Sequence, residues 1–225
     1  MNLSKRLAVL LSLIPEGGFL SDVGSDHAYL PAAAILDGKV EAAQAIDNKE
    51  GPFVHMAKTV KDLGLEGRLF LSLSSGLDDL DPRATTIVLA GMGGDLISSI
   101  LLEGKAKLGA VEHLVVDAHS ERSLLQETLL GLGYAPEAGR FIADRGKFYS
   151  LERWSKGAFK KELAPIERRY GILPSRGHEE AFLTYLRAEE ARMRAQLAHP
   201  SLPEDKKKKA EEAIRLIEEY LHENA

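Results

Sequence analysis

The chain has 225 residues, 29 Lys+Arg against 34 Asp+Glu, no Cys and 44% hydrophobic residues. That length buries one substantial core, or one core with a small appendage, and the composition excludes a disordered, collagenous or disulfide-stapled chain. Without cysteine there is no thiolate nucleophile and no Cys-ligated metal, and a net charge of −5 gives no global footprint for non-specific nucleic-acid binding. The negative excess lies in residues 1–156, whereas residues 157–225 carry equal numbers of acidic and basic groups.

Leu3, Leu7, Leu10, Leu11 and Ile14 form the stripe of an amphipathic helix, stopped by Pro15 and Gly17-Gly18. Lys5 and Arg6 ahead of apolar residues resemble a signal peptide, but no small-residue cleavage site follows. No apolar run approaches the ~20 residues that span a bilayer, so the expectation is a soluble, cytoplasmic protein with no membrane partner. Short apolar runs then alternate with helical patterns. Strands are predicted over Phe19–Val23, Ala43–Ile46, Leu69–Leu73, Thr85–Ala90 and His113–Val116. Helices are predicted over Tyr29–Leu36, Pro52–Leu63, Asp95–Leu102 and Leu124–Leu130. This alternation implies a parallel sheet covered on both faces.

After Gly133 the pattern changes to a β-hairpin, Arg140–Asp144 and Lys147–Trp154, around Arg145-Gly146. A parallel sheet closed by an antiparallel hairpin is the element order of a class I methyltransferase (Rossmann-like) α/β domain, assigned to residues 1–158. From about Lys160 the chain reads as all-helical. Phe182, Tyr185, Leu186, Met193 and Leu197 form one stripe, and Ala210, Ala213, Ile214, Ile217 and Leu221 another. His199–Pro203 divides them, and Ser201 and Glu204 have capping-box spacing. Residues 159–225 are therefore expected to form a small, coiled-coil-like antiparallel helical hairpin.

Asp22-Val23-Gly24-Ser25-Asp26-His27-Ala28-Tyr29-Leu30-Pro31 lies where the first strand turns into a helix, the ligand crevice of an open α/β sheet. A dinucleotide fingerprint would have glycine where this chain has Asp26, whose carboxylate would repel a pyrophosphate. Asp22 and Asp26 suit instead a cofactor without phosphate that carries sulfonium and ammonium cations, S-adenosyl-L-methionine. The bland alternative is that both simply cap the turn. Asp47 ends the second strand, where an acidic group accepts hydrogen bonds from a ribose diol, and Asn48 follows it. Ala90-Gly91-Met92-Gly93-Gly94 follows the fourth strand, at the place where an acceptor must approach a transferable methyl, and glycine there permits close contact. The seven histidines are scattered, and no metal is expected.

At these residues the sequence resembles the bacterial tRNA (adenine-22-N1)-methyltransferases, which use S-adenosyl-L-methionine. The matching stretches are Leu3–Leu7, Asp22–Pro31, Gly51-Pro52, Ala90–Gly94 and Gly146–Tyr149, together with the helical tail. The resemblance implies methyl transfer to adenine N1 of a tRNA, at position 22. On that reading Asp22, Gly24, Ser25, Asp47, Asn48, Ser75, Gly76, Ala90, Gly91 and Met92 hold the cofactor. Asp26, His27 and Tyr29 serve the reaction: Tyr29 packs on the base swung out of the tRNA, and Asp26 favours the cationic product. Lys5, Arg6, Gly93, His119 and Lys147 contact the substrate. Arg145, Arg168-Arg169 and Lys206–Lys209 are further basic groups for a polyanion.

Two segments depart from the family pattern. Ser74-Ser75-Gly76-Leu77 replaces Gly-Asp-Gly-Leu, so Ser75 takes the place of the acid near the cofactor adenine, and Val116-Asp117-Ala118-His119 replaces Leu-Gln-Pro-Asn. Other readings are a methyltransferase for another RNA site or a small molecule, and a non-catalytic cofactor- or tRNA-binding protein. A monomer is expected.

Overall fold

The computed structural model describes residues 1, 3–159, 161–172, 180–199 and 201–224. Helix α1 (Lys5–Leu13) starts at Ser4, whose hydroxyl accepts a hydrogen bond from Leu7 N at 3.3 Å, and it buries Leu10, Leu11 and Leu13. Strand β1 (Phe19–Val23), helix α2 (Tyr29–Leu36), β2 (Ala42–Asp47), α3 (Glu50–Asp62) and β3 (Leu69–Leu73) follow. Next come β4 (Thr86–Met92), α4 (Gly94–Glu103), β5 (His113–Ala118), α5 (Arg122–Gly131), β6 (Tyr134–Asp144) and β7 (Lys147–Lys156). Beyond the sheet lie α6 (Pro165–Tyr170), α7 (Glu180–Leu197) and α8 (Glu204–Glu223).

The seven strands form one sheet in the order β3-β2-β1-β4-β5-β7-β6. Strands β1 to β5 pair in parallel, and β7 runs antiparallel to both β5 and β6. Every residue of β1 is buried, because helices cover both faces of the sheet. One core unites Leu10, Ile14, Leu20, Ile35, Met56 and Val115 under α1 to α3. The other unites Ile87, Leu89, Ile97, Leu114, Leu129 and Trp154 under α4 and α5. Strand order reverses between β1 and β4, so the connections leaving these strands diverge and open a crevice over their carboxyl ends.

The hairpin is longer than the sequence suggests. β6 begins directly after Gly133, and a register shift between Pro136 and Ala138 lets a proline sit in this edge strand. Gly139 is needed there for close packing, since a β-carbon on it would lie 1.9 Å from Ile172 O.

Phe141 of β6 meets Phe182 and Tyr185 of α7 at ring distances of 4.9 and 5.2 Å, docking the helical tail onto the hairpin. Helices α7 and α8 are antiparallel: Phe182 packs on Tyr220, while Met193 lies with Ala210 and Ala213. The expected capping box does not form. Helix α8 starts at Glu204 with Pro203 in the cap position, and the Ser201 hydroxyl instead meets His199 Nδ1 at 3.0 Å. Proline's fixed φ already suits the residue before a helix, which leaves Ser201 two positions too early to cap. The short α6 carries no periodic signal long enough to be read from sequence. Lys160 and Pro200, where the sequence changes character, lie outside the described residues. Among the described residues no helix is long and apolar enough to cross a membrane.

Candidate active site

The turn after β1 is strained at two non-glycine positions. Asp26 and Ala28 both have positive φ, at 55° and 56°, and Gly24 has φ 74°. The chain holds this shape through Gly24 N and Ser25 N, which both donate to Ile46 O, at 2.8 and 3.1 Å. Asp26 N donates to Asp47 Oδ2 at 3.3 Å, and Lys49 N to Asp47 Oδ1 at 3.1 Å. Asp47 thus ties the tip of β2 to the β1 turn while its carboxylate borders the crevice. Backbone strain fixed by neighbouring strands is typical of a ligand site.

The crevice has two connected chambers that share Gly24 and Asp26. The larger, about 570 Å³, has apolar walls that include Leu77, Met92 and Ile100 and a polar edge formed by Asp47, Asn48, Ser74, Ser75 and Gly76. The Ser74 hydroxyl is buried there without a hydrogen-bond partner. The smaller, about 310 Å³, is bordered by Arg6, Asp22, Ser25, His27, Tyr29, Ala90 and Gly91. Asp22 is buried, and its Oδ2 accepts from the Ser25 hydroxyl at 2.5 Å. Burial pushes its pKa up to about 6; Ser25 and Arg6 oppose that rise and Asp47 adds to it.

Arg6 projects from α1 into this chamber. Its Nε donates to Asp117 Oδ2 at 2.5 Å, its backbone N to Asp144 at 3.0 Å, and its guanidinium lies 5.2 Å from the Tyr149 ring centre. Gly91 has φ 83°, and a β-carbon there would sit 3.0 Å from Arg6 Nη2 and 3.8 Å from His119 Nε2. His119 therefore stands beside the end of β4, exposed to solvent, with its N–H bonded to Met92 O at 3.0 Å. A β-carbon on Gly24 would touch Met92 Cε at 3.5 Å, so the thioether roofs the β1 turn.

Not every residue singled out by sequence faces the crevice. Gly93 packs against Asp95 and Ser120, where a β-carbon would come within 2.4 and 3.0 Å. Lys5 reaches across to Ala143 O at 3.1 Å, and Lys147 borders a separate cavity beside Tyr149.

At the mouth, three rings form a column. His27 stacks on Tyr29 at 5.1 Å and on His55 at 4.5 Å, and His27 Nε2 lies 3.6 Å from Asp26 Oδ2. Tyr29 is 44% exposed, so it is available to a ligand rather than buried as an ordinary helix residue. His55, on α3, has no signal in the sequence: only the packing of α3 beside the β1 turn brings it to His27. Asp26, His27 and His55 also place three ligand-type atoms within 4.8 Å of one another, a grouping hidden by their spacing in the chain.

Comparison with known proteins gives one answer at several levels. Residues 3–151 match the family model of a methyltransferase domain. The tRNA (adenine(22)-N(1))-methyltransferase of Bacillus subtilis (strain 168) is 36% identical over 152 residues, 67% of this chain. That match spans 64% of the relative's length. The Streptococcus pneumoniae protein Sp1610, a candidate tRNA (m1A22) methyltransferase solved with S-adenosyl-L-methionine, is 30% identical with a TM-score of 0.89, covering 98% of this chain and 100% of that one. The B. subtilis m1A22 tRNA methyltransferase TrmK is 28% identical with a TM-score of 0.83, covering 97% of this chain and 98% of that one. A strained acidic turn, an aspartate at the end of β2 and a run of glycines after β4 accompany these likenesses, and the chain belongs to the methyltransferase-domain family.

Proposed function

We propose that this chain is a cytoplasmic, monomeric enzyme that transfers a methyl group from S-adenosyl-L-methionine to N1 of adenine 22 in tRNA. The observation that carries this reading is the two-chambered crevice, whose shape and charge match the two halves of the cofactor. The larger chamber offers apolar walls for a base and Asp47 for a ribose diol, with Asn48 beside it. Ser75 and Gly76 line the base end, where an uncharged hydroxyl stands in for the family's acid, and the unpartnered Ser74 hydroxyl supplies a second polar atom. In the smaller chamber, Asp22 is a buried carboxylate whose pKa desolvation raises in spite of Arg6, and an ammonium group beside it favours its ionised form. Gly24 and Ser25 complete that end, and Ala90, Gly91 and Met92 lie along the face between the chambers and the acceptor.

When bound, the cofactor supplies an electrophilic methyl on a cationic sulfur. Adenine N1 has an in-plane lone pair, so it forms the new N–C bond as the S–C bond breaks, and no proton need leave N1. The protein's task is therefore to place the base and exclude water. Tyr29, exposed at the end of the ring column, receives one face of the unstacked base, and His27 holds Tyr29 and Asp26 in place. Asp26 favours the positive charge that appears on the product ring, a modest effect for an exposed carboxylate. Arg6 and His119 border the open space above Gly91 and hold the edge of the acceptor nucleotide, while Lys5, Gly93 and Lys147 shape and charge the surrounding surface.

The test is incubation with labelled S-adenosyl-L-methionine and bulk tRNA, followed by digestion to nucleosides. N1-methyladenosine is the expected product. A different methylated nucleoside, or cofactor binding without transfer, overturns the proposal.

A further inference from the structure

A third cavity, about 660 Å³, lies between the β6–β7 hairpin and the helical tail; of its lining, Arg6, His119 and Lys147 already serve the acceptor in the reading above, whereas Arg122 and the aromatic rings have no role there. Its wall includes Phe148 and Tyr149 from β7, Tyr185 from α7, and the cations Arg6, Lys147 and Arg122. None of its described lining residues is acidic. Phe148 and Tyr185 meet edge to face at 5.2 Å, and the Tyr149 ring lies against the Arg6 guanidinium on one side and 6.0 Å from His119 on another. Arg122, the first residue of α5, has a buried Nε with no hydrogen-bond partner. An unpaired buried guanidinium N–H is costly, and a charged acceptor entering the cavity would relieve it.

Arg6 lines both this cavity and the smaller chamber of the crevice, so the two spaces adjoin at Arg6. Aromatic faces interleaved with cations are the chemistry of single-stranded nucleic-acid binding: bases stack on the rings and phosphates pair with the cations. We propose that this cavity is a second nucleotide subsite, which takes the unstacked neighbour of the acceptor adenosine in the same RNA strand. Its base stacks among Phe148, Tyr149 and Tyr185, its phosphate pairs with Arg122 and Lys147, and Arg6 partitions the two bases. The inference rests on the proposed tRNA substrate.

The experiment measures binding rather than turnover. Transcripts of tRNA are made intact, or abasic at one or the other neighbour of adenosine 22, and titrated by filter binding against the wild type, Phe148→Leu and Arg122→Met. Removing the base of one neighbour should weaken wild-type binding about tenfold, the scale of one base–aromatic stack. Phe148→Leu should weaken the intact transcript similarly and bind the abasic one no worse. Because Phe148 also packs against Phe141, Arg122→Met provides an independent reading: the slope of log affinity against log salt should fall by about one. The subsite is overturned if both abasic transcripts bind the wild type as tightly as the intact one, or if the RNA and protein changes multiply. Coupling without any methylation would sink the proposed function and leave the subsite standing. Methylation without coupling would do the reverse.

Discussion

Arg6 and Asp117, 111 residues apart in sequence, meet through one 2.5 Å contact between Nε and Oδ2 at the edge of the crevice. Asp117 is fully buried, and its other carboxylate oxygen has no hydrogen-bond partner. The pair fixes the guanidinium over Gly91 and against Tyr149, so α1, at one end of the sequence, supplies a wall of the smaller chamber, the proposed acceptor side.

Removing Arg6 should leave an uncompensated charge in the interior. Arg6→Ala is expected to lose about 3–5 kcal/mol in urea unfolding, the usual result of breaking one side of a buried ion pair. Arg6→Met combined with Asp117→Leu should recover most of that stability. It should not recover methyl transfer, because the acceptor wall is gone. If the double variant is as active as the wild type, Arg6 has no role at the acceptor site.

The raised pKa of Asp22 gives a pH dependence with a defined sign. Burial holds the folded-state value at about 6, against an ordinary 3.8. Between these values the folded chain keeps a proton that the unfolded chain has released, so stability declines as pH rises through this window. Above pH 6 the full cost of the buried charge stands, on the order of 3 kcal/mol. Asp22→Asn should therefore flatten the stability profile between pH 3.8 and 6. A cationic ligand favours the ionised carboxylate, so affinity for S-adenosyl-L-methionine should increase from pH 5 to 7 with proton release on binding. Calorimetry in buffers of different ionisation enthalpy reads that release, and its absence near pH 6 would show that Asp22 does not meet the cation.

Gly24 and Gly91 separate backbone strain from contact. Both have positive φ, so alanine at either costs about 1–2 kcal/mol of stability. At position 24 the new methyl meets only the Met92 thioether, Cε at 3.5 Å and Sδ at 3.7 Å, on the side proposed for the cofactor. At position 91 it presses on Arg6 Nη2 at 3.0 Å, on the side proposed for the acceptor. Gly24→Ala should raise Kd for the cofactor, and Gly91→Ala should raise KM for tRNA at least tenfold with little change in cofactor affinity. Equal effects on both ligands from both variants would contradict the division of the crevice.

The parts of the site that were legible in sequence are local. The Asp22–Pro31 turn and Asp47 announce themselves because one strand–turn–helix unit, and the end of the next strand, carry the chemistry in contiguous residues. The parallel sheet was legible because short strands alternate with helical patterns and β4 carries the continuous apolar run Ile87–Ala90 of a strand buried on both faces. What the sequence concealed depends on tertiary approach. His55 reaches His27 only through the packing of α3, and the partnership of Arg6 with Asp117 exists only because α1 folds back beside β5. The start of β6 was hidden by Pro136 and Gly139, which interrupt the alternation of an edge strand yet serve its bulge and its packing on Ile172. Ser201 misled for the opposite reason: its spacing was right, but Pro203 took the cap.

The most direct measurement maps the methyl group on the RNA. An N1-methyl blocks the pairing edge of adenine, so reverse transcription of a treated tRNA transcript stops one nucleotide short of it. The expected result is a stop at adenosine 22 that requires both enzyme and S-adenosyl-L-methionine, is absent from a transcript with guanosine at that position, and is lost with Asp47→Ala. A stop at another nucleotide, or undiminished methylation by Asp47→Ala, would contradict the assignment of this crevice as the place where the methyl group moves.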